Sequence, residues 1–171
     1  MWEKMTSDRI RIGVIGIGFG AQVHIPAFQS EGMEVAAVCA RHQEKAREVA
    51  NQYGVRDVFT NYQEMVRMGD IQAISVAGPV ALHHKMTMAA LEAGKHVAVE
   101  KPFTGFFAPG QDDDGWRRCL DGALSSAERM RAAEGASGRR IMYAENWVYA
   151  PGVQKARRLL ESADTPILRM V

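Results

Sequence analysis

The chain has 171 residues, 47% of them hydrophobic and 24% charged, with a formal net charge of +1. That length supports one domain with a sizeable core rather than two, and the near-neutral balance argues against a large electrostatic footprint for nucleic acid or an acidic membrane. No run approaches the roughly 18 apolar residues of a spanning helix, Met1–Asp8 has no apolar signal core, and Cys39 and Cys119 show no pairing pattern, so a cytoplasmic, reducing setting is expected.

Ile10, Ile12, Val14 and Ile15 put four β-branched residues within six positions, the pattern of a buried strand. Gly16, Gly18 and Gly20 follow at once, and Ala21-Gln22-Val23-His24-Ile25 opens a helix that runs to about Ser30. Met33 to Cys39 reads as a second buried strand. The next helix covers about 43–53, with Ala46, Val49, Ala50 and Tyr53 on one face and Gly54 as its stop. Asp57-Val58-Phe59 fits a short strand, and Asn61 caps a short helix that turns Met65 and Val66 inward. Ile71 to Ala77 is another apolar strand, ended by Gly78-Pro79. Leu82, Met86, Ala89, Ala90 and Ala93 form one helical stripe closed by Gly94, and His96 to Val99 is a strand that runs into Glu100-Lys101-Pro102.

Strands alternating with helices predict a doubly wound parallel α/β sheet of the Rossmann type, with right-handed crossovers. The rhythm breaks near 106–116, where Pro109 to Gly115 predicts an exposed acidic loop. Three adjacent aspartates cannot all face one ion, so no metal site is expected there. A helix follows with Leu120, Ala123, Leu124, Ala127 and Met130 expected inward, ending at Ala136-Ser137-Gly138. Ile141 to Ala144 predicts a strand. Pro151 opens a helix with Val153, Ala156, Leu159 and Leu160 expected inward, and Pro166 to Val171 begins one more strand.

A buried strand, a glycine turn and a helix start make a site for the pyrophosphate of a dinucleotide. Gly16 allows the tight turn, and Gly18, without a Cβ, lets the backbone approach the phosphates. Ala21 takes the third small position, where helix and strand touch. Phe19 and Gly20 complete the turn. Free N–H groups of the new helix point at the anion, and the macrodipole adds roughly 0.3–1 kcal/mol. Two other readings fit the same letters. One is a β–α turn with no ligand; the other is the G-x-G-x-G of methyl-donor-binding domains, spelled by Gly16, Gly18 and Gly20. A methyl-donor site usually has an acidic residue in the strand ahead of the glycines, where this chain offers Ile12, Gly13, Val14 and Ile15.

Three stretches carry a more specific signal. The first is Gly13 to Ala21 with His24-Ile25-Pro26-Ala27 behind it. The second is Gly78-Pro79, His83, and then the run Ala93-Gly94-Lys95-His96-Val97-Ala98-Val99-Glu100-Lys101-Pro102. The third is Ala144-Glu145-Asn146-Trp147 through Pro151, followed by Lys155-Ala156. Together they resemble the glucose-fructose oxidoreductase / inositol dehydrogenase (Gfo/Idh/MocA) family of NAD(P)-dependent oxidoreductases. The resemblance implies hydride transfer between a nicotinamide and a secondary alcohol, or the matching ketone, of a sugar, cyclitol or related polyol. It also implies a small-molecule substrate, no nucleic-acid or membrane partner, and a homo-oligomer for a full-length protein. The domains it implies are a nucleotide-binding domain over 1–150 and, over 151–171, the start of a truncated substrate domain built on an open sheet. A domain that binds NADP without catalysis is the alternative.

The same resemblance points to individual residues. Lys101 stands just past a predicted parallel strand, the edge where ligands bind in such sheets. The resemblance implies that it acts on the substrate hydroxyl or carbonyl, and it is expected to be partly withdrawn from water. Glu100 orients that lysine, touches the nicotinamide ribose, or makes a surface ion pair. Where the family often has an acidic residue for the ribose hydroxyls, this chain has Ala40 followed by Arg41. A guanidinium binds a 2′-phosphate that a carboxylate would repel, so NADP is expected over NAD, unless Arg41 simply faces solvent. Pro79 and His83 are expected to line the coenzyme groove, with capping or packing the alternative for His83. Asn146 is expected to bond the carboxamide or the substrate, and Trp147 either walls the pocket or packs in the core.

Overall fold

Continuous apolar strands can be buried only between two layers of helices, and that is how this chain arranges them. The computed structural model describes residues 9–107 and 115–163. β1 (Arg11–Ile15), β2 (Glu34–Cys39), β3 (Asp57–Phe59), β4 (Ala73–Val76), β5 (His96–Glu100) and β6 (Ile141–Ala144) form one sheet in the order β3-β2-β1-β4-β5-β6. Every adjacent pair is parallel. A π-helical turn over Gly20–His24 leads straight into α1 (Ile25–Ser30). The other helices are α2 (Gln43–Tyr53), α3 (Tyr62–Met65), α4 (Val80–Glu92), α5 (Gly115–Ser137) and α6 (Pro151–Ala163), with a 3-10 turn at Asn146–Tyr149.

The sheet separates two cores. On one face, Met65 of α3 and Met86, Ala90 and Leu91 of α4 pack against Ile74, Val76, Val97 and Val99. On the other, Ile25 of α1 and Ala50 of α2 cover Ile12, Val14 and Val38. Each such valine, fully removed from water, contributes roughly 1.5–3 kcal/mol. The strands' ends are level: Ile15 aligns with Cys39 and Val76, Val76 with Val99, and Glu100 with Ala144. Strand order reverses at β1, so the connections after β1 and β4 leave in opposite directions and open a crevice between them.

The expected stops hold locally. Gly54 takes φ +68° after α2, and Asn61 Oδ1 accepts the N–H of Gln63 to cap α3. Two helix faces differ from expectation. In α5, Met130 is buried as expected, but Ser126 is buried with it while Leu120 and Leu124 are 50% and 54% exposed. The inward face is the one that carries Ser126 and Met130. A Cβ on Gly122 would run into the Phe106 ring, and only small side chains let the helix come this close to its neighbours. In α6, Val153, Ala156, Leu159 and Leu160 are all exposed, because among the described residues the helix packs chiefly on the preceding 3-10 turn. The acidic loop expected at 109–115, apart from Gly115, and the strand expected at 166–171 lie outside the described residues.

Candidate coenzyme site

The glycine turn is shaped by its contact with the end of β4. Gly16 has φ +104°, and a Cβ there would collide with the carbonyl of Ala77; a side chain is excluded on both counts. Its N–H donates to the Cys39 carbonyl at 2.9 Å, which holds the turn against β2. A Cβ on Gly20 would lie 2.9 Å from the Cβ of Ala77. Gly18 is different: a Cβ there would meet nothing within 4 Å. Its bareness therefore does not serve packing. It leaves open space beside the first amides of the helix, which have no intrahelical partners. Such a cradle suits an anion, so these residues fit a dinucleotide's pyrophosphate.

Lys101 lies between two cavities at the same edge of the sheet. One, of about 250 Å³, is lined by Phe19, Ala77, Gly78, His83, Glu100 and Lys101. The other, of about 320 Å³ and largely apolar, has Phe28, Ala98, Asn146 and Tyr149 among its walls, and it shares Phe19, Glu100 and Lys101 with the first. The Lys101–Pro102 peptide is cis. Glu100 Oε2 accepts the backbone N–H of Lys101 at 2.9 Å, and Oε1 lies 2.9 Å from His24 Nε2. Glu100 is thus paired with a buried histidine rather than half of a surface ion pair.

Gly16, Gly18, Phe19, Gly20, Ala21, Glu100 and Lys101 come together at one crevice, and Asn146 joins them from the end of β6. Pro79 is exposed at the N-cap of α4. His83 lines the smaller cavity, but it is 1% exposed and both its ring nitrogens face backbone carbonyls. Arg41 is exposed just beyond the end of β2. Lys101 is exposed, so the expected withdrawal from water is not provided by the described residues. Trp147 is 71% exposed, neither wall nor core; Tyr149 lines the larger cavity.

Sequence reasoning missed the roles of His24, Ser75 and Lys95. Lys95 is 7% exposed and donates to the carbonyls of Met68 at 2.6 Å and Ile71 at 2.7 Å, pinning the approach to β4. Burial holds its pKa below the usual lysine value, with Asp70 opposing and Arg139 reinforcing the shift. Cys39, buried at the end of β2, has its pKa pushed up to about 11 by burial and by Glu64.

Residues 10–111 match a family model described as an oxidoreductase family with an NAD-binding Rossmann fold. The chain belongs to the Gfo/Idh/MocA oxidoreductase family. That membership displaces the methyl-donor reading of the glycine turn, and the chain is a nucleotide-binding Rossmann domain of this family. It is 35% identical over 124 residues to an inositol 2-dehydrogenase/D-chiro-inositol 3-dehydrogenase from Shouchella clausii, covering 71% of this chain and 34% of that protein. It is 36% identical over 104 residues to a D-glucoside 3-dehydrogenase from Escherichia coli, covering 60% and 30%. Among solved structures it is similar to a 3-ketoreductase variant from Actinomadura kijaniata in complex with TDP-benzene and NADP, with a TM-score of 0.74, 27% identity and coverage of 91% and 43%. The chain spans about a third of the length of these curated relatives.

Proposed function

We propose that this chain is the coenzyme-binding part of an NAD(P)-dependent oxidoreductase, with NADP favoured, acting on a secondary alcohol or ketone of a sugar, cyclitol or similar polyol. The observation that carries the reading is Lys101 on the rim of a cavity shared with Phe19 of the glycine turn. The substrate class is supported by the inositol and glucoside dehydrogenases among the relatives. Residues 1–150 form the coenzyme domain, and 151–171 lead into a substrate domain. The open cradle at Gly18 and the first helical amides hold the pyrophosphate. Arg41 takes the 2′-phosphate by a bidentate, charge-assisted contact. Asn146 bonds the carboxamide or the substrate.

When bound, the nicotinamide supplies the hydride chemistry. Lys101 Nζ accepts the substrate hydroxyl proton during oxidation and returns it during reduction. Glu100 keeps the backbone of that lysine in place. In a longer protein that carries this domain, Lys101→Ala lowers turnover by at least about 100-fold, the usual worth of a general base, while NADPH still binds. Turnover that persists in the variant removes Lys101 from the mechanism. For the chain itself, titrations read by nicotinamide fluorescence give tighter binding of NADPH than NADH, and Arg41→Asp reverses the preference. A preference that survives Arg41→Asp overturns the assignment of NADP to Arg41.

A further inference from the structure

Two buried histidines hold the Glu100–Lys101–Pro102 turn from opposite faces of the sheet, and the reading above uses neither. His24, 9% exposed, sits in the π-helical turn that follows the glycines. Its Nδ1 lies 2.8 Å from Ser75 Oγ on β4, and its Nε2 lies 2.9 Å from Glu100 Oε1. Since Glu100 Oε2 accepts the Lys101 N–H, one hydrogen-bonded chain runs from the sheet interior to the backbone of the lysine. On the other face, His83 Nδ1 is 2.9 Å from the Pro102 carbonyl oxygen and Nε2 is 2.9 Å from that of Gly78. Carbonyls only accept, so the neutral ring donates to one of them and the protonated ring to both. Either way the ring ties the loop after β4 to the turn after β5.

The order Ser75, His24, Glu100 has the atoms of a nucleophilic triad, but Ser75 is 0% exposed and no substrate carbonyl reaches it. What is left is positioning. We propose that His24 and His83 are positioning residues that fix the Lys101 backbone, and with it the wall that meets the nicotinamide end of the coenzyme. The inference rests on the coenzyme reading given above. His24 also lies four residues after Gly20, in the helical segment whose first amides face the pyrophosphate cradle. It therefore sets the distance between the phosphate end of the crevice and the lysine. Water screens its bond to Glu100 little, because both side chains are largely buried.

Removing only the Lys101 side chain leaves this wall standing, whereas releasing the turn moves it. The test uses the chain with two probes: NADPH, and ADP, which has the adenosine and pyrophosphate but no nicotinamide. His24→Leu and His83→Leu are each expected to weaken NADPH about tenfold, with ADP affinity held within about twofold. His24→Gln, which keeps one hydrogen bond, is expected to recover most of the NADPH affinity. Glu100→Gln keeps the side-chain shape should leucine at either position prevent folding, and it is expected to weaken NADPH selectively too. The Lys101 amide resonance is expected to move in His24→Leu without any ligand present. Equal weakening of both probes, or unchanged NADPH affinity, overturns the proposal, as does an unmoved Lys101 amide. Wild-type chain that binds neither probe sinks the coenzyme reading instead, and the Lys101 amide then decides the positioning role alone.

Discussion

Lys95 carries its charge into the protein at 7% exposure and spends two of its three N–H donors on the carbonyls of Met68 and Ile71. Replacing it with an apolar chain of similar length leaves two carbonyls without a partner, which costs about 1–3 kcal/mol. Lys95→Met is therefore expected to lower the unfolding free energy by about that much, read as a lower urea midpoint, with Lys95→Arg intermediate. An unchanged midpoint would mean that water replaces both bonds. From sequence, Lys95 was simply a letter in the run that ends at Pro102. Its partners lie 27 and 24 residues away, and no local pattern announces a lysine that points inward. His24 was hidden for the same reason. It reads as one polar residue at a helix start, and its meaning comes from Ser75 and Glu100, which are 51 and 76 residues distant. Gly16 and Asn61, by contrast, were legible, because a positive-φ turn and a helix cap are set by neighbours in the chain.

Among the helices, α5 shows where periodicity misleads. Periodicity puts the leucine stripe of Leu120 and Leu124 inward together with Met130, whereas the structure buries Met130 and turns both leucines out. Close packing sets the face, since a Cβ on Gly122 would run into the Phe106 ring and Ser126 takes an inward position. Met130, 0% exposed, is expected to cost about 2–5 kcal/mol on change to alanine. Leu124→Ala, at a half-exposed site, is expected to stay within about 0.5 kcal/mol. Equal effects in thermal melts would put the leucine stripe inside after all. The α4–α5 contact should also sense pH. His84 of α4 lies beside Arg129 of α5 at 3.4 Å, and its pKa is lowered by burial, then by Arg129 and Lys85. The unfolded chain takes up that proton at higher pH than the folded one. This contribution is therefore intact above the free histidine value of 6.5 and is lost as pH falls through the lowered folded value. His84→Gln is expected to lose less stability than the wild type between about pH 7 and pH 5. An identical loss in both would remove His84 from the acid response.

At the scale of the whole molecule, the alternation of buried strands and helices fixed the doubly wound sheet, because strands covered on both faces are apolar along their length. The placing of the site followed from that topology. All the level strand ends fall on one edge, and the reversal of order at β1 opens the crevice there. Two features were beyond the sequence: the outward face of α6, whose cover is not found among the described residues, and the exposure of Lys101. Everything functional depends on the glycine turn receiving a pyrophosphate. Gly18 tests this cleanly, because a Cβ there meets nothing within 4 Å, so a small side chain is expected to leave folding intact. The decisive measurement is a nicotinamide-fluorescence titration of NADPH into the wild-type chain and into Gly18→Asp, with thermal melts of both. The expected result is saturable binding by the wild type, loss of binding by at least about tenfold in Gly18→Asp, and matching melts. No binding by the wild type, or undiminished binding with an aspartate in the cradle, would contradict it.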